Sequence, residues 1–172
     1  KLETVIGMTV VDPIRGERGW AFRKGAGHSS DPINGFQFLR EAYKATDSNY
    51  IGRITVPVLW DSVTKCIVTN SDDDLMRVFN GEFNRFTESP IDLYPDGLRQ
   101  EIDELNTFIY ENVNDGVYRA GFATSQQGYE RAARRLFAAL DQLDARLATR
   151  RYLFGPEFVE TDWRLFVTLV RF

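Results

Sequence analysis

Ser71, Asp72, Asp73 and Asp74 put a hydroxyl and three carboxylates on consecutive residues, directly after a strand–turn–strand stretch whose first strand is interrupted by proline. A serine there can cap a helix, with Asp74 three residues on completing a capping box. The acidic side chains also suit the positive end of a helix, each contributing ~0.3–1 kcal/mol when exposed. A free helix N-terminus attracts a carboxylate ligand, but three aspartates oppose that anion and suit an amine or a hydroxyl-rich molecule instead. The proline is Pro57, set among Ile54, Val56, Val58 and Trp60. It has no N–H to give to a ladder, so it marks an edge strand or a special turn. The isomer preference of an X-Pro bond is only ~0.5–1 kcal/mol, so tertiary contacts can set it to cis. A bend at Val56-Pro57 would leave the N–H and C=O of Val56 facing solvent, an open pair able to hold an extended peptide-like ligand by strand addition.

Other residues with chemical potential are read first in their plainest sense. Arg53, just before the strand, is a solvated surface cation. Trp20, in a long loop, plugs that loop onto the core. Tyr118 lies between helical stretches, where a buried loop tyrosine needs a partner for its hydroxyl. Cys66, flanked by Lys65 and Ile67-Val68 in a strand, reads as a small buried hydrophobe and not as a nucleophile. His28 is the only histidine. With no second histidine and no cysteine nearby it makes no metal site, and it reads as an exposed loop residue.

These residues must be positioned by the elements around them. Thr4–Val11 has the composition of a buried parallel strand, ended by Asp12-Pro13. Residues 14–34, rich in Gly, Arg, Ser and Pro, form a long ordered loop, and loops of that length are uncommon unless functional. Phe36–Thr46 repeats Phe36, Leu39 and Tyr43 at helical spacing. A strand–turn–strand over Gly52–Asn70 follows, with Cys66–Thr69 as its second strand, and Ser71 opens a helix. Residues 81–97 hold Pro90 and Pro95 and read as a linker. Beyond it the spacing predicts long helices: Leu98, Ile102, Leu105 and Ile109 form one stripe, and Tyr129, Ala133, Leu136, Leu140, Leu143 and Leu147 another. Asp115-Gly116 is expected to stop the first, and Thr124 with Gln127 to cap the second. Both stripes are read as packing between antiparallel helices. A last helix is expected from Thr161, with Asp162 supplying part of the cap that Val159 lacks.

The 172 residues allow one domain or two small ones. A hydrophobic content of 43% and a charged content of 27% fit a soluble globular protein. A net charge of −4 with no basic patch speaks against a nucleic-acid partner. One cysteine allows no intrachain disulfide and no cysteine-rich metal site, and it suits a reducing compartment. There is no run of eighteen apolar residues, so no membrane partner is expected. The chain begins at Lys1, so the missing leader carries no weight.

The x-Val-Pro strand, the second strand and the Ser-Asp helix opening resemble the second half of a thioredoxin-like glutathione-binding domain. With GRITVPVLWD, IDELNTFIYENVNDGVYRAGFATSQ and RYLFGPEF…RLFVTLVRF, nearly the whole chain resembles the glutathionyl-hydroquinone reductases, the Xi-class, omega-like glutathione transferases. The resemblance implies a partial thioredoxin-like domain over residues 1–80, a linker over 81–97 and a partial all-helical domain over 98–172. It also implies a soluble cytoplasmic homodimer that uses glutathione and no metal. By the same resemblance Trp20, Arg53, Val56, Ser71 and Asp72 hold the thiol co-substrate, and Tyr118 faces an aromatic hydroquinone conjugate. The family's nucleophilic cysteine lies in a Cys-Pro-Trp-Ala-type motif after the first strand. No such motif occurs here, so it is expected upstream of Lys1, with Lys1–Glu3 ending its helix and Phe172 inside a helix that continues. The chain is thus expected to be an inactive internal piece.

The family usually has Glu then Ser where this chain has Ser71 then Asp72. That change opens the co-substrate to mycothiol, a cysteinyl-sugar thiol. The leading expectation is a thiol-dependent reductase that frees hydroquinones from their S-glutathionyl conjugates by exchange at the upstream cysteine. A non-catalytic binding module is the alternative, and a conjugating transferase with an upstream serine or tyrosine is a third.

Overall fold

Leu39, Ala42 and Tyr43 sit on one face of a helix, and the first unit of the protein is built around them. The computed structural model describes residues 2, 4–88 and 91–171 and divides into two compact units, Lys1–Pro90 and Ile91–Phe172. In the first, α1 (Leu39–Thr46) opens after Phe38, whose N–H donates to the Glu41 carboxylate at 2.8 Å. That is half a capping box, satisfying one of the amides a helix start leaves without a partner. The buried trio is packed by Trp20, Phe36, Tyr50, Ile54, Val58 and Trp60, with Phe36 edge-on to Trp60 at 5.8 Å.

A two-stranded antiparallel sheet follows, β1 (Leu59–Asp61) with β2 (Cys66–Thr69). Its turn is held by Asp61, whose carboxylate accepts from the Val63 N–H and the Thr64 hydroxyl, both at 2.8 Å. These donors pull the Asp61 carboxyl below its ordinary range, the Thr64 hydroxyl contributing most. Helix α2 (Asp72–Gly81) opens at Ser71 as expected, the Asp74 N–H donating to Ser71 Oγ at 3.2 Å. The box is not completed, because the Asp74 carboxylate accepts from the Thr69 hydroxyl instead.

Two expectations in this unit fail. Residues 4–11 form no strand, and Val5, Met8 and Val10 are exposed. A parallel strand needs a neighbour to pair with, whereas β1 and β2 pair with each other and Val10 offers its carbonyl to Ser29 in the long loop. The first hairpin strand is also short. Only Leu59–Asp61 pairs, because the backbone of Thr55 is engaged by a tyrosine side chain and Pro57 has no N–H to give.

The second unit is all helical: α3 (Arg99–Ile109), α4 (Gly116–Gly121), α5 (Gln126–Leu147) and α6 (Glu160–Leu169). Its core joins Ile109, Val113, Leu136, Ala139, Leu143, Leu153 and Leu165, so the predicted stripes face inward at Ile102 and Ile109 and from Leu136 to Leu147, while Tyr129, expected to open the second, is exposed. Between α3 and α4, Tyr110–Asn114 is a π-helical turn, the Asp115 N–H reaching back five residues to the Tyr110 carbonyl. Gly116 therefore begins α4 and does not stop a helix. The cap of α5 is Ser125, accepting from the Gly128 N–H at 3.1 Å, and not Thr124. Asp162 does support the start of α6, accepting from the N–H groups of Val159 and Leu153 at 3.0 and 2.9 Å. Of the helix end expected over Lys1–Glu3 only Leu2 is described, and it is not helical; Pro90 of the linker and the continuation at Phe172 lie outside the described residues.

Candidate functional site

Val56 is the residue with the most open backbone of the predicted set. The Val56-Pro57 bond is cis, the Val56 side chain is 44% exposed, and neither its N–H nor its C=O has a hydrogen-bond partner among the described residues. Backbone groups with no partner in the protein are available to a ligand.

The residues on either side of Val56 are held firmly. Tyr43, only 3% exposed, places its hydroxyl against the Thr55 carbonyl at 3.0 Å and the Thr55 hydroxyl at 3.2 Å, and accepts from the Thr55 N–H at 3.3 Å. Tyr43 packs on Tyr50 at 4.9 Å, and the Tyr50 hydroxyl donates to the Arg53 carbonyl at 2.9 Å. The Asn70 amide donates to the Thr55 hydroxyl at 2.9 Å. Because Asn70 precedes Ser71, this bond brings Val56 beside the first turn of α2. Ser71 spends its hydroxyl on the cap, while Asp72 is exposed at the first helical position.

Trp20 is half-buried against the α1 trio, so its plain role as a plug holds. Its loop is tied to α1 by the Leu39 N–H bonding the Trp20 carbonyl at 2.9 Å. Farther along, Asp12 anchors the loop. It accepts from the Ile14 N–H at 2.8 Å and pairs with Arg23 at 2.7 Å. The backbone hydrogen bond and the Arg23 charge hold the Asp12 carboxyl below its ordinary range. Arg53 is exposed, as its plain reading required.

Tyr118 belongs to the second unit. It is not a buried loop residue but a residue of α4, 53% exposed, with its ring stacked on Phe122 at 6.1 Å. A cleft of about 410 Å³ in that unit is lined in part by Glu111, Asn112, Arg119, Phe122 and Arg135; Tyr118 is not among its lining residues. Cys66 is half-buried on β2, its sulfur 3.1 Å from the Thr64 hydroxyl and its register partner the acidic Asp61. Among the described residues no cluster of His, Cys, Asp and Glu is suited to a metal ion, and no helix is long and apolar enough to cross a membrane.

Sequence reasoning missed Tyr43, Thr55 and Asn70. Tyr43 was visible only as an apolar position on a helical stripe. Its burial implies a partner for the hydroxyl, but which one depends on a contact twelve residues away.

Known proteins are similar to this chain in sequence and in fold. The model of the glutathione S-transferase C-terminal domain family matches residues 126–172. The chain is 44% identical over 171 residues to glutathionyl-hydroquinone reductase PcpF of Sphingobium chlorophenolicum, covering 99% of this chain and 55% of that protein. It is 44% identical over 172 residues to glutathionyl-hydroquinone reductase YqjG of Escherichia coli, covering 99% of this chain and 52% of that one. The glutathione-bound structure of YqjG superimposes with a TM-score of 0.96, and the Xi glutathione transferase of Phanerochaete chrysosporium with 0.95 at 45% identity. Each comparison covers 99% of this chain, with 56% and 59% of the respective relative. The chain thus spans about half the length of the relatives it matches. It has a small thioredoxin-like sheet unit followed by a helical glutathione-transferase unit, and over nearly its whole length it is a homologue of the Xi-class, omega-like glutathionyl-hydroquinone reductases.

Proposed function

We propose that the protein of which these residues are part is a thiol-dependent reductase that removes glutathione from S-glutathionyl hydroquinones. The observation that carries this reading is the main chain of Val56, without a partner among the described residues and beside the first turn of α2. A cysteinyl peptide can pair with that N–H and C=O as one more strand, its polar end reaching Ser71 and Asp72. Trp20 and Arg53 supply the apolar and the cationic side of the same site. Tyr118 offers a phenol to the oxygen of the aromatic substrate.

The chemistry requires a thiolate, and Cys66, a half-buried residue of β2, is not taken as its source. The nucleophile is assigned to a cysteine upstream of Lys1. Its thiolate attacks the sulfur of the conjugate, the ring carbon takes a proton to give the hydroquinone, and a protein–glutathione disulfide forms. A second glutathione thiolate attacks that disulfide, releasing oxidised glutathione and restoring the cysteine. These residues alone then bind thiol without turnover. A homodimer and a cytoplasmic setting complete the proposal and rest on the family resemblance.

Asp72, Asp73 and Asp74 at the head of α2 favour a second choice of thiol. They repel the carboxylates of glutathione and accept hydrogen bonds from hydroxyls, which favours the sugar of mycothiol. Titrating each thiol into the ¹⁵N-labelled chain tests both readings. Saturable shifts at Val56 and Ser71 are expected, with the tighter ligand identifying the thiol. No shift with either overturns the assignment of the site.

A further inference from the structure

We propose that Tyr43, Thr55 and Asn70 are positioning residues that set the Val56 backbone and the head of α2 at one fixed separation. The proposal rests on the thiol-site reading above and adds how that site is held.

The hydrogen-bond arithmetic has one consistent solution. The single hydroxyl hydrogen of Tyr43 is directed to the Thr55 carbonyl at 3.0 Å. The phenol oxygen then accepts from the Thr55 N–H and from the Thr55 hydroxyl. With its own hydrogen so used, the Thr55 oxygen accepts from the Asn70 amide at 2.9 Å. Each donor is spent once. The chain runs from the buried face of α1 through Thr55 to the residue preceding the α2 cap, which links three segments far apart in sequence. Tyr43 is an effective anchor because it is 3% exposed and belongs to the α1 core. Thr55 and Asn70 adjoin Val56 and Ser71 without engaging the Val56 main chain or the Ser71 hydroxyl themselves. Two contact points at a fixed spacing are what a small ligand needs if it is not to lose affinity in ordering the site itself.

The experiment compares Thr55→Val, which keeps the shape and removes the hydroxyl, with Thr55→Ser, which keeps the hydroxyl. Without ligand, Thr55→Val is expected to shift the amide resonances of both Val56 and Ser71, while Thr55→Ser leaves Ser71 close to wild type. For whichever thiol the wild type binds, Thr55→Val is expected to raise Kd about tenfold, the scale of one lost hydrogen bond, and Thr55→Ser to restore most of the affinity. Asn70→Ala should reproduce the Thr55→Val pattern. Equal behaviour of the valine and serine variants, or a Ser71 amide and Kd unmoved by Thr55→Val, overturns the proposal. A wild-type chain that binds no thiol overturns the site reading itself. The ligand-free amide shifts distinguish that failure from failure of the hydrogen-bonded chain.

Discussion

At the scale of single residues, short polar side chains next to a backbone turn do most of the positioning. Ser71 is the clearest case, since its hydroxyl accepts from the Asp74 N–H. Ser71→Ala is expected to cost ~1 kcal/mol in urea denaturation, and Ser71→Gly only a few tenths. Asp61 titrates below its ordinary range because the Thr64 hydroxyl and the Val63 N–H bond its charged form. A carboxylate with a lowered folded pKa stabilises the fold above its unfolded value, ~3.9, and that contribution fades as pH falls through the lower folded value. Asp61→Asn should therefore lose stability at neutral pH relative to wild type, and the gap should narrow on acidification. Urea midpoints across the acid range would show it; a gap that widens as pH falls contradicts the assignment.

Among the elements, the connection from α3 to α5 departs most from the expected pattern. A π-helical turn carries the chain through Tyr110–Asn114 and sends Val113 into the core. It also turns Asn114 toward α6, where its amide reaches the Thr168 hydroxyl at 2.6 Å and the Arg164 carbonyl at 3.0 Å. Gly116 follows in ordinary helical conformation, where its conformational freedom serves no purpose. A Cβ there would meet Leu136 Cδ1 at 3.6 Å, an ordinary contact. Gly116→Ala is expected to stabilise the chain by up to ~1 kcal/mol through helix propensity. The thermal midpoint should rise, and a fall would mean that the packing there is tighter than this contact. Ser125, not Thr124, caps α5, so Ser125→Ala should cost ~1 kcal/mol while Thr124→Ala costs much less.

For the whole molecule, stability resides in two cores with no residue in common, one around Leu39, Ala42 and Tyr43 and one around Leu136, Ala139 and Leu143. Leu136→Ala removes a side chain 2% exposed and is expected to cost ~2–5 kcal/mol. Hydrogen exchange should report that loss in α3 and α5. Leu39→Ala should produce its effect in α1. Exposed ion pairs such as Arg134–Glu130 at 3.3 Å contribute little. Added salt should therefore move the unfolding midpoint far less than either core substitution.

Much of this was readable from the chain alone, because helical periodicity and local capping are encoded within a few residues. The stripes at Ile102–Ile109 and Leu136–Leu143, the cap at Ser71, the role of Asp162 and the family resemblance all appear in the sequence. Thr4–Val11 shows the limit: apolar, β-branched composition suits a strand, but a strand exists only through a neighbour, and this segment has none to pair with here. The same holds for the site. Val56-Pro57 was legible as an unusual turn. That Thr55 is held by a tyrosine twelve residues earlier and by an asparagine fifteen residues later was decided by tertiary contact. Hydrogen bonds between segments distant in sequence leave no periodic trace, so the chain announced its elements and only the folded molecule determined how their ends meet.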